Sequence, residues 1–155
     1  MIFSDSDVFL IDRIYTRDDR YEANRRFIEK LPKLDAATSI YNLLEICGIA
    51  ANVLSRSELE QLFYYFDELY GVQLIYPKDS GRTVEEYFRD FTEQMFRLVS
   101  KKMKYPDAQI LFIAEEYGVS HLVTWNTKDF KGRTYISVLT PQEFLEQYSQ
   151  TKLQS

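Results

Sequence analysis

The sequence contains very little cysteine or histidine. Cys47 and His121 are the single residues of their kinds among 155. An intramolecular disulfide is therefore excluded, as is a zinc site built from cysteine and histidine ligands. We expect Cys47 to be a core thiol and His121 an ordinary strand residue. One free cysteine suits a reducing compartment, so we expect a cytoplasmic protein.

The sequence also lacks long apolar runs and any excess of positive charge. The run Val8–Ile11 is too short for a signal peptide and acids flank it, and no window approaches the length of a membrane span. A formal net charge of −5 and an isoelectric point of about 5.0 argue against a broad basic face for duplex DNA. Local basic clusters remain possible.

The sequence contains enough apolar residues to form one core, and it is rich in aromatic residues. Hydrophobic residues make up 45% of the chain, with 12 tyrosines and 11 phenylalanines. We predict one domain over residues 1–149 and a tail over 150–155. Some rings are expected at an interface, because aromatic residues are enriched there.

Short apolar segments alternate with longer segments of helical periodicity. Strands are predicted at 2–5, 36–39, 72–76, 121–124 and 135–139, with helices between them. This alternation predicts an α/β fold with three layers, in which helices cover both faces of a mostly parallel central sheet.

Two helices carry clear start signals and an apolar stripe. Ser57-Glu58-Leu59-Glu60 and Thr83-Val84-Glu85-Glu86 both have the capping-box pattern. The first helix is predicted to continue to Gly71, and each helix is predicted to turn one stripe inward. These stripes are Leu59, Leu62, Phe63, Phe66 and Leu69 in the first helix and Val84, Phe88, Phe91, Met95, Val99 and Met103 in the second.

Four acidic residues occupy positions that a parallel sheet brings together at its carboxyl edge. Asp5 ends the first strand, Asp129 follows the fourth, Asp107 opens a helix, and Glu45 lies about one turn into another. No lysine next to them in sequence is expected to neutralise them. Because packed carboxylates repel one another, such a cluster persists by binding protons or a cation.

Oxygen ligands of this kind select Mg²⁺ or Mn²⁺. Such a cation lowers the pKa of a water that it binds and neutralises the charge that grows on phosphate oxygens. The four acids therefore predict a metal-dependent enzyme that hydrolyses phosphodiester bonds.

At these positions the sequence resembles the PIN-domain nucleases, and in particular the stand-alone VapC-type toxins. The resemblance spans residues 2 to about 145, and its last two motifs are the specific ones. The four motifs are Asp5-Ser6-Asp7 after an apolar strand, Thr38-Ser39 followed by a helical Glu45, Asp107-Ala108 before an apolar helix, and Leu122-Val123-Thr124-Trp125-Asn126-Thr127-Lys128-Asp129-Phe130.

The resemblance implies a metal-dependent ribonuclease with an acidic quartet. Asp5, Glu45 and Asp107 would bind Mg²⁺ or Mn²⁺ or orient its water, and Asp129, rather than Asn126, is the expected fourth carboxylate. Supporting roles fall to Asp7, Ser39, Thr124 and Asn126, with Thr124 and Asn126 hydrogen-bonding water or Asp5. The family's pattern usually has an uncharged residue where Asp7 stands.

The expected partners follow from the same resemblance and from local charge. Four lysines beside the acids could guide an RNA substrate, single-stranded or in loops: Lys101, Lys102, Lys104 and Lys128. A cognate antitoxin protein and a homodimer are expected, with Tyr64 and Tyr65 at one of these interfaces. No membrane partner is expected.

Two other functions remain open. A PIN-like domain without catalytic activity would bind RNA or protein through its surface. A haloacid dehalogenase-type phosphatase would use Asp5 as its nucleophile and Asp7 as its acid and base. That family also needs a downstream lysine and a Gly-Asp-type acidic motif, for which Tyr105-Pro106-Asp107-Ala108 is a poor substitute.

Overall fold

The structure is a computed structural model that describes residues 1–78 and 80–153. Within these residues the sheet has five strands in the order β3-β2-β1-β4-β5, and every pair runs parallel. The strands are β1 Ile2–Ser4, β2 Ala36–Ser39, β3 Gln73–Ile75, β4 His121–Val123 and β5 Ser137–Leu139. The predicted parallel sheet is confirmed.

Helices connect the strands and cover both faces of the sheet. Their bounds are α1 Ser6–Arg13, α2 Tyr21–Ile28, a short 3₁₀ helix Leu31–Lys33, α3 Ile40–Ala50, α4 Arg56–Tyr64, α5 Phe66–Tyr70, α6 Val84–Ser100, α7 Tyr105–Tyr117, α8 Thr127–Phe130 and α9 Pro141–Leu153. The three-layer α/β/α class is confirmed. In the described residues no helix is both long and apolar enough to span a membrane. The domain boundary after residue 149 stays a prediction, and residues 154 and 155 lie outside the described part.

The core consists of two apolar layers, one on each side of the sheet. Successive strand residues point to opposite faces, so Ile2 joins the layer formed with α1, α2, α3 and α9, while Phe3 joins the layer formed with α6 and α7. Ala36 and Ala37 divide in the same way on β2. Because both faces are covered, the strands read as short apolar runs rather than as alternating patterns.

The helix predicted from Ser57 to Gly71 is wrong in two respects. Ser55, not Ser57, is the N-cap, and its hydroxyl accepts from the Glu58 backbone N–H. The helix breaks at Tyr65, whose φ of −124° and ψ of 22° are not helical, so α4 and α5 are two separate helices. Leu69, which was predicted to face inward, is consequently exposed.

The predicted inward stripe of α6 is also wrong in part. Met95 is buried as predicted, but Val84, Phe88 and Val99 are exposed. Phe91, also predicted to face inward, is half-buried, and the helix packs through it together with the adjacent stripe, in which Leu98 is buried and Tyr87 and Gln94 are half-buried. Apolar residues occupy two neighbouring stripes of α6, so periodicity alone could not decide which one faces the sheet.

Candidate active site

The strand order places a reversal of direction between β1 and β4. From β1 the chain builds β2 and β3 on one side, then returns to add β4 and β5 on the other. The carboxyl ends of β1 and β4 therefore border the crevice in which open α/β sheets bind their ligands. Asp5 follows β1 directly, and Thr124 follows β4.

Asp5 is held by hydrogen bonds on both of its carboxylate oxygens. The Ser6 backbone N–H and the Asn42 side-chain amide donate to Oδ1 at 2.8 and 3.1 Å, and the Thr124 hydroxyl lies 2.8 Å from Oδ2. Asp5 is only 6% exposed. The predicted contact between Thr124 and Asp5 is confirmed, and these contacts fix the direction of the carboxylate.

Asn42 is a site residue that the sequence analysis missed. Its amide also donates to the Ser6 hydroxyl at 3.0 Å, while the Ser39 hydroxyl donates to Asn42 Oδ1 at 2.6 Å. Ser39 caps α3 with Asn42 as the reciprocal partner. A Ser-x-x-Asn capping pair is visible in the sequence, but nothing there shows that the amide reaches Asp5.

Asp7 holds the turn that follows β4. Its Oδ2 accepts from the backbone N–H groups of Trp125 and Asn126 at 2.8 and 3.1 Å, and the Thr124 hydroxyl lies 3.1 Å away. Thr124 has one hydroxyl hydrogen, so it can donate to Asp5 or to Asp7 but not to both at once. Asn126 therefore contacts the site through its backbone, while its side chain is exposed.

Burial dominates the electrostatics of this pair. It raises the pKa of Asp5 well above the ordinary value, and the neighbouring charge of Asp7 raises it further. Burial likewise raises the pKa of Asp7 to about 6, against the hydrogen bonds from Thr124, Trp125 and Asn126. Asp7 Oδ1 is buried without a hydrogen-bond partner. The pair is therefore poised to bind a proton or a cation.

The other predicted acids interact electrostatically with Asp5 or with one another. Burial raises the pKa of Asp107 to about 6, and the charges of Asp129 and Glu45 contribute. Glu45 also raises the pKa of Asp5. Asp107 lies in the first turn of α7, whose N–H groups favour a carboxylate. The fold thus gathers Asp5, Glu45, Asp107 and Asp129 from four separate segments.

Basic residues partly offset this cluster, which corrects one expectation. Lys104 Nζ lies 3.6 Å from Asp129 Oδ2, and the charge of Lys104 lowers the pKa of Asp107. The expectation that no lysine neutralises the acids is therefore wrong. Lys101, Lys102 and Lys128 are exposed on the same side. Arg133 donates to the carbonyls of Lys101, Lys128 and Asp129 at 3.0–3.2 Å.

The donor set fits a hard divalent cation, although the side chains do not converge on one. Among residues 1–78 and 80–153, no group of three or more histidine, cysteine or acidic side chains is arranged to hold a metal ion. The oxygens available are those that Mg²⁺ and Mn²⁺ prefer, and the unpartnered Asp7 Oδ1 adds one more.

Comparison with solved structures identifies the fold. A toxin–antitoxin complex from Klebsiella pneumoniae is similar with a TM-score of 0.59 and 24% identity, over 92% of this chain and 99% of that one. VapBC-1 from nontypeable Haemophilus influenzae is similar with a TM-score of 0.62 and 17% identity, over 91% and 98%. The chain has the fold of the VapC-type PIN domains.

A third solved structure with this PIN fold is VapC20 from Mycobacterium tuberculosis, a toxin that cleaves the sarcin-ricin loop. Its TM-score is 0.57 and its identity 14%, over 86% of this chain and 92% of that one. No protein-family model and no curated protein matches the chain. At these identities the likeness concerns the PIN fold, and the site must be argued from its own geometry.

Proposed function

We propose that the protein is an endoribonuclease dependent on Mg²⁺ or Mn²⁺. The observation that supports the proposal is electrostatic: Glu45 acts on both Asp5 and Asp107, and Asp129 acts on Asp107. Burial and mutual repulsion raise the pKa values of Asp5 and Asp107. A divalent cation would relieve that repulsion and supply a Lewis acid for the phosphodiester.

The residues of the site have different roles in this proposal. Asp5 and Asp107 hold the cation, while Glu45 and Asp129 complete the acidic quartet or orient water. Asn42 and Thr124 fix the Asp5 carboxylate through the contacts at 3.1 and 2.8 Å. Asp129 is a better fourth acid than Asn126, because it raises the pKa of Asp107 whereas the Asn126 side chain is exposed.

The substrate is RNA that is single-stranded or held in loops, and the enzyme acts in the cytoplasm. Lys101, Lys102, Lys104 and Lys128 form a local basic border beside the acids, which would attract phosphates despite the negative net charge. Lys104 would have to exchange its contact with Asp129 for a phosphate oxygen. The solved relative that cleaves the sarcin-ricin loop is consistent with a structured RNA substrate.

We also propose a cognate antitoxin protein as partner, since the similar structures include toxin–antitoxin complexes. Tyr64 and Tyr65 are exposed on α4 and at its end, and Tyr64 lines a groove with Leu43, Phe63 and Tyr76. Exposed rings beside a groove suit a protein partner. Inhibition of the ribonuclease by the protein encoded in the neighbouring gene would test this part.

The decisive experiment compares the wild type with Asp5→Asn and Asp107→Asn on an RNA that contains loops. Cleavage should require Mg²⁺ or Mn²⁺, stop in EDTA, and fall at least about 100-fold in both variants, since outer-shell partners alone are worth about 10- to 100-fold. Asp19→Asn, at an exposed turn, is the matched control and should cleave as the wild type does.

The outcomes separate the alternatives. A domain that only binds RNA would leave the substrate uncleaved with Mg²⁺, with Mn²⁺ and in EDTA. Equal cleavage of a perfect duplex would contradict the substrate class. The phosphatase alternative requires a phosphorylated Asp5, so trapping a covalent aspartyl-phosphate at that residue would contradict the ribonuclease proposal.

A further inference from the structure

Trp125 forms a rigid platform beside the acidic site, and Arg20 lies on it. The backbone N–H of Trp125 donates to Asp7 Oδ2 at 2.8 Å, and its indole Nε1–H donates to Asn24 Oδ1 at 2.8 Å. Asn24 is fully buried, and its amide donates in turn to the Val8 carbonyl at 2.8 Å. Trp125 is therefore fixed at its backbone by the site and at its ring by the core.

The guanidinium of Arg20 lies over the Trp125 ring. Its Cζ is 5.7 Å from the ring centroid, which is within the range of cation–π attraction. Asn24 follows Arg20 by four positions, so the two side chains share one face of α2 and meet the same indole. Burial raises the pKa of Asp7, and the charge of Arg20 opposes this rise. The cation thus acts electrostatically on the site.

Asp18 holds the guanidinium in one direction. Its Oδ1 accepts from Arg20 Nε at 2.8 Å and its Oδ2 from Nη2 at 2.7 Å. These hydrogen bonds lower the pKa of Asp18 to about 2, so the carboxylate is ionised at neutral pH. A guanidinium has five N–H groups, of which Asp18 takes two. Within residues 1–78 and 80–153 no group accepts from the other three, and the Arg20 side chain is 47% exposed.

Helix stability does not account for Arg20. The residue is the N-cap of α2, yet its side chain makes no capping hydrogen bond. Ser, Thr, Asp and Asn are preferred at an N-cap, and the helix dipole disfavours a cation there. An exposed ion pair such as that with Asp18 also adds little to stability. A cation that is fixed in place against the local preference indicates a role in binding.

The position of Arg20 complements that of the lysines. Lys101, Lys102, Lys104 and Lys128 border the acids in the layer of α6, α7 and α8, in which Met103 and Phe130 are buried. Trp125, which supports Arg20, packs in the layer of α1, α2 and α3 on the other face of the sheet. A strand of RNA that crosses the carboxyl edge would therefore meet positive charge on both sides of the acids.

We propose that Arg20 binds a phosphate of the RNA next to the one that is cleaved, on the α1–α2 side of the acids. This proposal rests on the ribonuclease function proposed above. Trp125 separates Arg20 from the acids, so the phosphate it meets is a neighbour of the cleaved one. The free N–H groups of a guanidinium fit two phosphate oxygens at once. Because Asp18 and Trp125 already fix the side chain, little rotamer freedom is lost on binding.

The first test measures the binding of a fluorescein-labelled single-stranded RNA to the full-length protein by fluorescence anisotropy. EDTA is present so that the proposed cleavage does not occur. Arg20→Gln should raise the dissociation constant at least about 10-fold at low salt, because hydrogen bonds to a charged group are lost. The slope of log K against log salt should become shallower by about 0.7, the value for one phosphate contact on a single strand.

Two further variants separate the contact from charge in general. Arg20→Lys keeps the charge but not the planar fork, so it should keep the salt slope and bind more weakly than the wild type. Arg25→Gln is the matched control, because Arg25 is exposed on the same helix and pairs with Glu29 as Arg20 pairs with Asp18. It removes the same charge from α2 and should leave the slope unchanged.

The second test uses Trp125, the single tryptophan of the chain, as a probe beneath Arg20. Adding RNA should change the tryptophan emission of the wild type and of Arg25→Gln, and should change that of Arg20→Gln much less. Far-ultraviolet circular dichroism of each free variant checks that it is folded, which we expect because both arginines are exposed.

Equal salt slopes in the wild type, Arg20→Gln and Arg25→Gln overturn the proposal, as does a wild type that binds no RNA. An emission change that is the same in the wild type and Arg20→Gln also overturns it. Metal-dependent cleavage together with equal slopes refutes the Arg20 contact alone. Binding that depends on Arg20, without cleavage in Mg²⁺ or Mn²⁺, refutes the ribonuclease function and supports the contact.

Discussion

The negative charge of Asp7 is buried, and we expect it to lower the stability of the metal-free protein. The folded protein raises its pKa from 3.8 to about 6, mainly by burial. Its Oδ1 has no partner, while Oδ2 serves the turn at Thr124, Trp125 and Asn126. Asp7→Asn keeps an acceptor for that turn and removes the buried charge.

The sign of the effect follows from proton binding. Between pH 3.8 and about 6 the folded protein holds a proton on Asp7 that the unfolded chain releases. The contribution of this proton to the unfolding free energy of the wild type is fully present below pH 3.8. It is lost as the pH rises through about 6. Asn cannot titrate, so the advantage of the variant should grow over the same interval.

The size can be worked out from the same shift. About two pKa units correspond to about 3 kcal/mol of unfolding free energy. The new amide N–H₂ occupies the place of the unpartnered oxygen, which costs about 1–2 kcal/mol. We therefore expect Asp7→Asn to be more stable than the wild type by about 1–2 kcal/mol at pH 8, and equally or less stable at pH 4.

The assay is urea unfolding followed by circular dichroism at pH 4 to 8, with EDTA present throughout. Asp19→Asn, which removes an exposed carboxylate, should differ from the wild type by less than about 0.5 kcal/mol at every pH. A stability difference between Asp7→Asn and the wild type that does not change with pH would refute the reasoning, as would a less stable variant at pH 8.

Two further predictions concern single groups in the fold. Thr124→Val should lower the unfolding free energy by about 1–3 kcal/mol, because the buried hydroxyl between Asp5 and Asp7 is lost, and it should also lower ribonuclease activity. Thr16→Val, at an exposed turn, is the control. Unchanged stability and activity in Thr124→Val would contradict this role of the hydroxyl. Gly71→Ala should cost more than Gly118→Ala in the same unfolding experiment, since both have φ of +61° but an added Cβ lies 2.8 Å from Pro32 only at Gly71. Gly118→Ala should lower the unfolding free energy by about 1–2 kcal/mol because of its backbone conformation alone. Equal losses in the two variants would show that Pro32 moves to make room for the new Cβ.

Much of the fold could be predicted because local patterns agree with it. Short apolar segments bounded by turn residues predicted every strand in the described residues to within two residues at each end. The capping pair of Thr83 with Glu86 is present as predicted. These signals act over a few residues, so the sequence shows them directly.

Other features depend on which surfaces meet, and local patterns carry no information about that. Phe88 and Phe91 are equally apolar, yet only the packing of α6 on α7 decides that Phe88 is exposed. The break at Tyr65 likewise lies within a segment of uniform helical character.

The acidic site shows the same division. That Asp5, Asp107 and Asp129 should lie near one edge follows from their positions after strands and at a helix start, which the sequence by itself determined. Only the tertiary structure decided that Asn42 reaches Asp5 across 37 positions, that Asp7 holds the turn after β4, and that Lys104 faces Asp129. These contacts join segments far apart in the chain, and their partners are selected by the strand order rather than by neighbouring residues.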